Sequence, residues 1–129
     1  SRRSEWNAIE SERRALYAAY RSEVLVVTSS HKIEVKVKGH RAMETLDVLQ
    51  QIQKDVERTR HECDSFRRPP TRAALSALLF VYAHRNPDTQ YIQGMHEVAA
   101  LLYHVFSADP EAAEADTFWC LCAVMREIK

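Results

Sequence analysis

Turn-forming residues are scarce in this chain, and this scarcity constrains its fold more than any other feature. Gly39 and Gly94 are the only two glycines among 129 residues, and there are four prolines. Sheets joined by tight hairpins usually need more glycine, because their turns require positive φ angles. Hydrophobic residues make up 46% of the chain, which is enough for the core of one modest domain. We therefore expect an all-α fold of about five to six helices.

Hydrophobic residues recur at helical spacing in four segments. Helix one is predicted to begin near Ser4, helix two to cover about 41–54, helix three to begin after Thr71 as N-cap, and helix four to follow the Asn86-Pro87 turn. The residues expected on the buried faces are Trp6, Ile9, Leu16, Tyr17 and Tyr20, then Met43, Leu46, Leu49 and Ile52, then Leu75, Leu78, Leu79 and Tyr82, and finally Met95, Val98, Ala99, Leu102, Val105 and Phe106.

Two segments depart from the helical pattern. In residues 28–39, Ile33, Val35 and Val37 alternate with charged residues, which is the pattern of a strand. No other segment suggests a pairing partner, and a single strand is not stable, so we expect an exposed extended or partly helical connector. A polar stretch at 60–70, which contains proline, is expected to interrupt the helices.

The C-terminal segment is predicted to contain two helix starts. Asp109 is expected to cap a helix with Pro110 at its first position, and Asp116 to begin a further helix. Helical spacing then continues to Lys129 without a glycine, a proline or a polar stop. We expect the 129 residues to be a piece of a larger helical domain, or the partner of this last apolar face to lie on other sequence.

Charge and cysteine content narrow the class of protein. Basic and acidic residues number 18 each, so net charge predicts no general attraction to nucleic acid or anionic lipid. No apolar run approaches the roughly 18 residues of a membrane span, so direct membrane insertion is not expected. Cys63, Cys120 and Cys122 are an odd number without a signal-peptide-like start, which favours free thiols in a reducing cytosolic compartment.

Several known chemical motifs are missing from the sequence. There is no zinc-protease helix, no zinc-deaminase pattern and no phosphate-binding P-loop. Cys120 and Cys122 are two residues apart on a predicted helix and point to different faces, so no metal site is expected. The arginines at 58, 60, 67, 68 and 72 form a basic cluster, for which a solvated face is favoured over nucleic-acid binding.

Two short motifs carry residues suited to phosphate chemistry. The first is Ile52-Gln53-Lys54-Asp55-Val56-Glu57-Arg58 and the second is Tyr91-Ile92-Gln93-Gly94-Met95. A guanidinium offers five donors to phosphate oxygens, and a glutamine amide can both donate to and accept from a water molecule. Positioning and charge neutralisation are the main help that a protein gives to phosphoryl transfer. Arg58 and Gln93 are therefore candidate catalytic residues.

The neighbours of Arg58 and Gln93 fit supporting roles. Asp55 lies about one helical turn before Arg58, where its carboxylate can hold the guanidinium in place. Gly94 removes a side chain where the backbone of a partner must come close. The residues alone leave an alternative open, because an exposed Asp/Arg pair and a glutamine beside a glycine occur in many proteins. Tyr91 would then be an ordinary core residue.

The pattern I-x-x-D-x-x-R followed by Y-x-Q-G-M resembles the TBC domain, the GTPase-activating domain for Rab small GTPases. Residues 78–95, with the sequence LLFVYAHRNPDTQYIQGM, and residues 116–121, with the sequence DTFWCL, are similar to the same family in the same order. The resemblance extends from about Met43 to Lys129. It covers the motif-bearing half of the family's domain.

The resemblance assigns roles to residues and partners. It implies that Arg58 is an arginine finger, that Gln93 is a glutamine finger replacing the GTPase's own glutamine, and that Asp55 and Tyr91 support them. GTP and Mg²⁺ then belong to the partner, a Rab-type GTPase, and the chain is an activator without a cofactor rather than an enzyme. It also implies a cytoplasmic protein of vesicle trafficking that its lipid-anchored partner recruits to endomembranes.

The sequence also departs from the family. Glu57 stands where the family often has proline, and His96 stands where asparagine is frequent. The family's third motif and its C-terminal helical half are absent from residues 1–129. These departures support a competing hypothesis, in which the chain is a helical module that docks a GTPase or another protein without accelerating hydrolysis. For His96 we favour a plain structural or solvent-facing role over a pH switch.

Overall fold

The computed structural model describes residues 2–36, 42–59 and 63–128, with the backbone alone at 42 and 43. These ranges contain six helices and one two-stranded hairpin. In chain order they are α1 (Arg2–Val24), β1 (Leu25–Val27), β2 (Ile33–Val35), α2 (Ala42–Glu57), α3 (Asp64–Arg67), α4 (Pro69–Arg85), α5 (Met95–Phe106) and α6 (Ala113–Ile128). The expectation of an all-α fold with five to six helices is confirmed.

Helix α4 runs through the centre of the molecule. Every residue from 73 to 83 is buried, so the helix is covered on all sides. Helices α1, α2, α5 and α6 all pack against it. The helix begins with Pro69 and Pro70, because the first turn needs no N–H from its residues. The prediction of Thr71 as N-cap was wrong, because the N-cap of α4 is Arg68.

The hairpin overturns the expectation of an unpaired connector. Strands β1 and β2 are antiparallel, with Leu25 opposite Val35 and Val27 opposite Ile33. The partner that was missed is the short apolar run directly after α1, and Leu25 within it is buried. The N–H of His31 donates to the carbonyl oxygen of Thr28 at 2.9 Å, and His31 has a positive φ of 64°. This turn forms without glycine. Val37 lies outside the described residues.

Helix α1 contacts the core mainly through its C-terminal half. The rings of Tyr17 and Phe118 have centroids 4.8 Å apart, and the Trp119 indole donates to the carbonyl oxygen of Arg13 at 2.8 Å. Tyr17 is buried and Tyr20 is half-buried, as predicted. Three other residues of this helix were predicted to be buried but are exposed, namely Trp6, Ile9 and Leu16.

The contact between α1 and α6 includes a polar cluster. The Tyr17 hydroxyl donates to Glu114 Oε2 at 2.5 Å, and Arg21 Nε lies 2.9 Å from the same oxygen. Burial raises the pKa of the Glu114 carboxyl, and the charge of Arg21 and the Tyr17 hydrogen bond only partly offset this effect. Arg14 holds both oxygens of Asp116, at 3.0 and 2.9 Å. These contacts fix the C-terminal half of α1 on α6.

The other predicted helix faces are mostly confirmed. In α2, Leu49 and Ile52 are buried, whereas Leu46 is exposed and the side chain of Met43 lies outside the described residues. In α4 the four predicted residues are buried, namely Leu75, Leu78, Leu79 and Tyr82. In α5, Met95 and Ala99 are buried and Val98, Leu102 and Phe106 are half-buried, but the prediction was wrong for Val105, which is exposed.

Two element boundaries differ from the predictions. The segment at 107–112 forms turns instead of a helix capped by Asp109, and α6 begins at Ala113, three residues before Asp116. The stretch at 60–70 contains the short helix α3, which buries Phe66, while 60–62 lie outside the described residues.

Across the described ranges, no helix combines the length and the apolar character needed to cross a membrane.

Candidate functional site

The C-terminal end of α2 presents Arg58 to solvent. The helix ends at Glu57, and the Arg58 N–H points to the carbonyl oxygens of Lys54 at 3.3 Å and Asp55 at 3.2 Å. The Arg58 side chain is 70% exposed, whereas the Asp55 side chain is only 2% exposed. Arg58 Nη2 donates to Asp55 Oδ1 at 2.9 Å, across the predicted turn of helix. One corner of the guanidinium is therefore anchored, and donors of the same side chain face solvent.

Tyr91 brings the second motif to the same carboxylate. Its hydroxyl donates to Asp55 Oδ2 at 2.5 Å, although the two residues are 36 positions apart in the chain. Tyr91 precedes α5 and is half-buried. Asp55 thus accepts a hydrogen bond on each oxygen, one from the Arg58 motif and one from the Gln93 motif. The two motifs meet at one buried side chain.

Three further residues complete this network, and their part in it was not predicted from the sequence. Gln51 Nε2 donates to Asp55 Oδ1 at 3.1 Å, and Thr59 Oγ1 donates to the backbone carbonyl oxygen of Asp55 at 2.7 Å. His96 Nδ1 lies 3.2 Å from the Tyr91 hydroxyl oxygen and 3.8 Å from Asp55 Oδ2. Gln51 and Thr59 each stand four residues from Asp55, a spacing that could have indicated them.

The network favours an ionised Asp55. Burial disfavours the charged carboxylate, but hydrogen bonds from Tyr91, Arg58 and Gln51, together with the charge of His96, outweigh burial and lower the pKa of Asp55 below its ordinary value. Burial, and then the hydrogen bond and charge of Asp55, raise the pKa of the Tyr91 phenol. The phenol therefore keeps its proton and acts as a donor.

Gln93 and Gly94 form the turn that leads into α5. Gln93 is exposed and lies two residues after Tyr91. Gly94 is the N-cap of α5 with φ 98° and ψ −19°, a left-handed conformation that favours glycine. A Cβ atom added at Gly94 would meet no heavy atom within 4 Å, so the space beside it is open. The backbone conformation requires this glycine, and the Gln93 amide is accessible to solvent.

Metal binding and thiol reactivity are the other chemistries to consider among the described residues outside this network. In the part of the chain that the structure describes, no group of three or more histidine, cysteine, aspartate or glutamate side chains is placed to hold a metal ion. Burial raises the pKa of the Cys122 thiol to about 11, even though Arg126 and Arg85 act in the opposite direction. A thiol with such a pKa is a poor nucleophile near neutral pH.

Comparison with known proteins identifies the family. The RabGAP-TBC family model, described as Rab-GTPase-TBC domain, matches residues 10–129. The chain belongs to this family. The resemblance found in the sequence motifs is thereby confirmed, and the residues of the Asp55 network lie within the matched range.

Individual relatives agree with this membership. TBC1 domain family member 13 of Homo sapiens is 47% identical over 57 residues, which cover 40% of this chain and 14% of that protein. The GTPase-activating protein gyp1 of Schizosaccharomyces pombe is 28% identical over 160 residues, covering 96% of this chain and 31% of that protein. This TBC chain thus spans less than a third of either relative.

The fold has a counterpart among solved structures. The crystal structure of the Ypt/Rab-GAP domain of Gyp1p superposes with a TM-score of 0.75 at 19% identity. The match covers 95% of this chain and 41% of that chain. The helical arrangement described above is therefore the arrangement of part of that domain.

Proposed function

We propose that this TBC chain accelerates GTP hydrolysis by a Rab-type small GTPase, with Arg58 as arginine finger and Gln93 as glutamine finger. One observation carries the proposal: the motifs of both residues are tied to the same buried carboxylate, Asp55, while both side chains reach solvent. Family membership supports the general activity. The assignment of the two fingers rests on the chemistry of the site.

Arg58 fits the neutralisation of charge during phosphoryl transfer. Negative charge spreads over the transferring group, and a guanidinium fork matches phosphate oxygens with several donors. The side chain is 70% exposed, so it can enter a site on another protein. Because Asp55 already restricts the rotamers of Arg58, the side chain loses less conformational entropy when it binds a partner. This smaller entropy cost is the expected gain from preorganisation.

Gln93 fits the alignment of the attacking water. Its amide offers an acceptor for a water proton and donors for a neighbouring oxygen. The side chain starts from a turn whose geometry is fixed by Gly94 at one end and by the Tyr91–Asp55 hydrogen bond at the other. Such a turn ties the Gln93 segment to the carboxylate that anchors Arg58, and Gln93 itself stays exposed to a partner.

GTP and Mg²⁺ belong to the partner in this proposal, because the chain has no P-loop. Mg²⁺ on the partner would supply charge stabilisation at the phosphates. Arg58 adds positive charge at the same place, whereas the exposed Glu57 beside it adds a negative charge that opposes part of this effect. A cytoplasmic location with recruitment to endomembranes through a lipid-anchored partner belongs to the same proposal.

The proposal is tested by following GTP hydrolysis across a panel of Rab proteins with the full chain, Arg58→Ala and Gln93→Ala. The parent chain is expected to accelerate at least one Rab. Loss of an arginine finger lowers the rate by roughly 10³ to 10⁵ in other GTPase systems, so Arg58→Ala is expected to lose most of the acceleration. Gln93→Ala is expected to lose a large part of it.

Matched controls separate these effects from general loss of charge or amide groups. Arg126→Ala on α6 and Gln50→Ala on α2 remove an exposed arginine and an exposed glutamine that take no part in the contacts described above for the Asp55 network, and both are expected to keep the parent rate. Measurable binding of a Rab by the parent chain without any acceleration would refute the catalytic proposal. That result would instead favour the docking module, for which Glu57 is the supporting observation.

A further inference from the structure

The hydroxyl of Tyr91 has two neighbours but only one proton. Asp55 Oδ2 lies 2.5 Å from the hydroxyl oxygen, and His96 Nδ1 lies 3.2 Å from it. The Asp55 carboxylate is favoured in its ionised form and has no proton to donate. The Tyr91 proton must therefore point to Asp55, since two oxygens at 2.5 Å without a proton between them would repel each other.

This assignment determines the proton on His96. With its proton on Asp55, the Tyr91 hydroxyl can offer only a lone pair to the imidazole. A favourable contact between His96 Nδ1 and the Tyr91 oxygen then requires a proton on Nδ1. The imidazolium form has this proton, and the neutral ring must be the tautomer that carries its proton on Nδ1. An unprotonated Nδ1 would compete with Asp55 for the Tyr91 proton and leave Asp55 Oδ2 without its donor.

We propose that His96 is a positioning residue of the site: its Nδ1–H donates to the Tyr91 hydroxyl oxygen and so directs the Tyr91 proton to Asp55. The inference rests on the proposed function for its effect on hydrolysis. His96 lies in the first turn of α5, and its side chain is 14% exposed. Within the described ranges, the charged groups that face it across the network are Asp55 of α2 and Arg58, which directly follows α2.

The consequence for Arg58 follows from the two oxygens of Asp55. Tyr91 occupies Oδ2, so Oδ1 stays available to Gln51 and Arg58. Loss of the His96 donor removes the contact that holds the Tyr91 oxygen from its other side, so Tyr91 and the carboxylate it contacts are held less tightly. His96 thus acts on the arginine through Tyr91 and Asp55, without touching the partner's nucleotide.

Two substitutions at His96 separate the donor from the bulk of the side chain. His96→Asn places an N–H donor on Cγ, the carbon that carries Nδ1, so it can keep the hydrogen bond. His96→Leu fills similar apolar space without a donor. We expect His96→Leu to lower the maximal rate of Rab GTP hydrolysis by about two- to ten-fold, the range for one neutral hydrogen bond. His96→Asn is expected to restore most of that rate.

The same assay reports how His96 acts. The concentration of the chain that gives half-maximal acceleration is expected to change little, because His96 positions a catalytic group instead of binding the partner. In the Tyr91→Phe background, His96→Leu is expected to cause no further loss, since the hydroxyl that links His96 to Asp55 is gone. The proposal would be overturned if His96→Leu lowered the hydrolysis rate by the same factor with and without Tyr91→Phe. It would also be overturned if His96→Asn and His96→Leu lowered the rate equally.

A second measurement works without any GTPase. Long-range ¹H–¹⁵N correlation spectra of the full chain at alkaline pH are expected to show His96 with its proton on Nδ1, and an unprotonated Nδ1 would overturn the inference even if His96→Leu fails to fold. Absence of acceleration by the parent chain would refute the proposed function alone. The spectrum would still decide whether His96 donates to Tyr91.

Discussion

Asp55 concentrates the polar interactions of the site in a single buried carboxylate. It accepts hydrogen bonds from Gln51, Arg58 and Tyr91. Asp55→Asn keeps the shape but turns an amide N–H toward one of these donors. Leaving a buried polar group without a partner costs about 1–3 kcal/mol, so we expect a loss of that size in the free energy of unfolding at neutral pH, measured by urea denaturation.

The difference in the free energy of unfolding between the parent and Asp55→Asn is expected to depend on pH. The folded state lowers the pKa of Asp55 from its ordinary value of 3.8, so the charged form stabilises the fold. This contribution is fully present well above pH 3.8 and is lost as the pH falls through the lower folded pKa. The difference between the parent and Asp55→Asn should therefore shrink in acid. A difference that stays constant from neutral pH down to about pH 3 would contradict the account.

Gly94 is a second residue whose identity follows from its backbone. Its φ of 98° is strained for any residue with a Cβ, although no atom would clash with that Cβ. We expect Gly94→Ala to lower the free energy of unfolding by about 1–2 kcal/mol. Gly94→Asn should cost less, because asparagine tolerates left-handed conformations. Thermal unfolding of both variants checks this, and an equal cost for both would point to a cause other than the backbone.

The sequence predicted the pair Asp55 and Arg58 more completely than the rest of the network. Their spacing on one helix is enough to bring them together, and the structure has them 2.9 Å apart. The contact of Tyr91 with Asp55 depends on how α5 packs near α2, which local spacing cannot specify. The same holds for His96, which reaches the network only because Tyr91 lies between it and Asp55.

Helix α4 is the element that carries the core. Leu78 on this helix is fully buried, whereas Leu101 on α5 is 54% exposed. The same change at both positions therefore has different costs. We expect Leu78→Ala to lower the free energy of unfolding by about 2–5 kcal/mol and Leu101→Ala to change it by no more than about 0.5 kcal/mol. Urea denaturation of both variants tests the central position of α4, and similar losses would contradict it.

The contact between α1 and α6 is predicted to respond to pH in the opposite sense from Asp55. Burial raises the pKa of Glu114 above 4.5, so folding favours its protonated form. The fold then loses stability as the pH rises from about 4.5 through the folded pKa. Glu114→Gln removes this titration and should become more stable relative to the parent over that range. Urea denaturation at a series of pH values tests it, and a relative change of opposite sign would contradict it.

Elements were predictable from sequence where one face of a long segment is apolar, as in α2 and α5. The hairpin was missed because Leu25–Val27 continues directly from α1 and carries no turn signal of its own. The exposed face around Trp6 was missed for a different reason. Helical spacing reports which residues share a face, but it does not report where the neighbouring helix ends.

At the scale of the whole molecule, the site exists because α2 and α5 both pack against α4. Arg58 follows α2 and Gln93 precedes α5, and the Asp55–Tyr91 hydrogen bond joins their segments across that packing. Neither motif alone provides both an anchored arginine and an accessible amide. The central claim of our proposal is therefore that both side chains act together on one nucleotide of a partner.

The most direct test of this claim measures binding of the full chain to a Rab protein loaded with GDP, with and without aluminium fluoride. Aluminium fluoride completes a mimic of the transferring phosphoryl group, and transition-state analogues bind roughly 10²-fold tighter or more than ground-state ligands. The parent chain is predicted to bind the fluoride complex at least about 100-fold more tightly than the GDP form. Arg58→Ala and Gln93→Ala are each predicted to lose most of this preference. Equal affinity of the parent for both forms, or an unchanged preference in the two variants, would contradict the account.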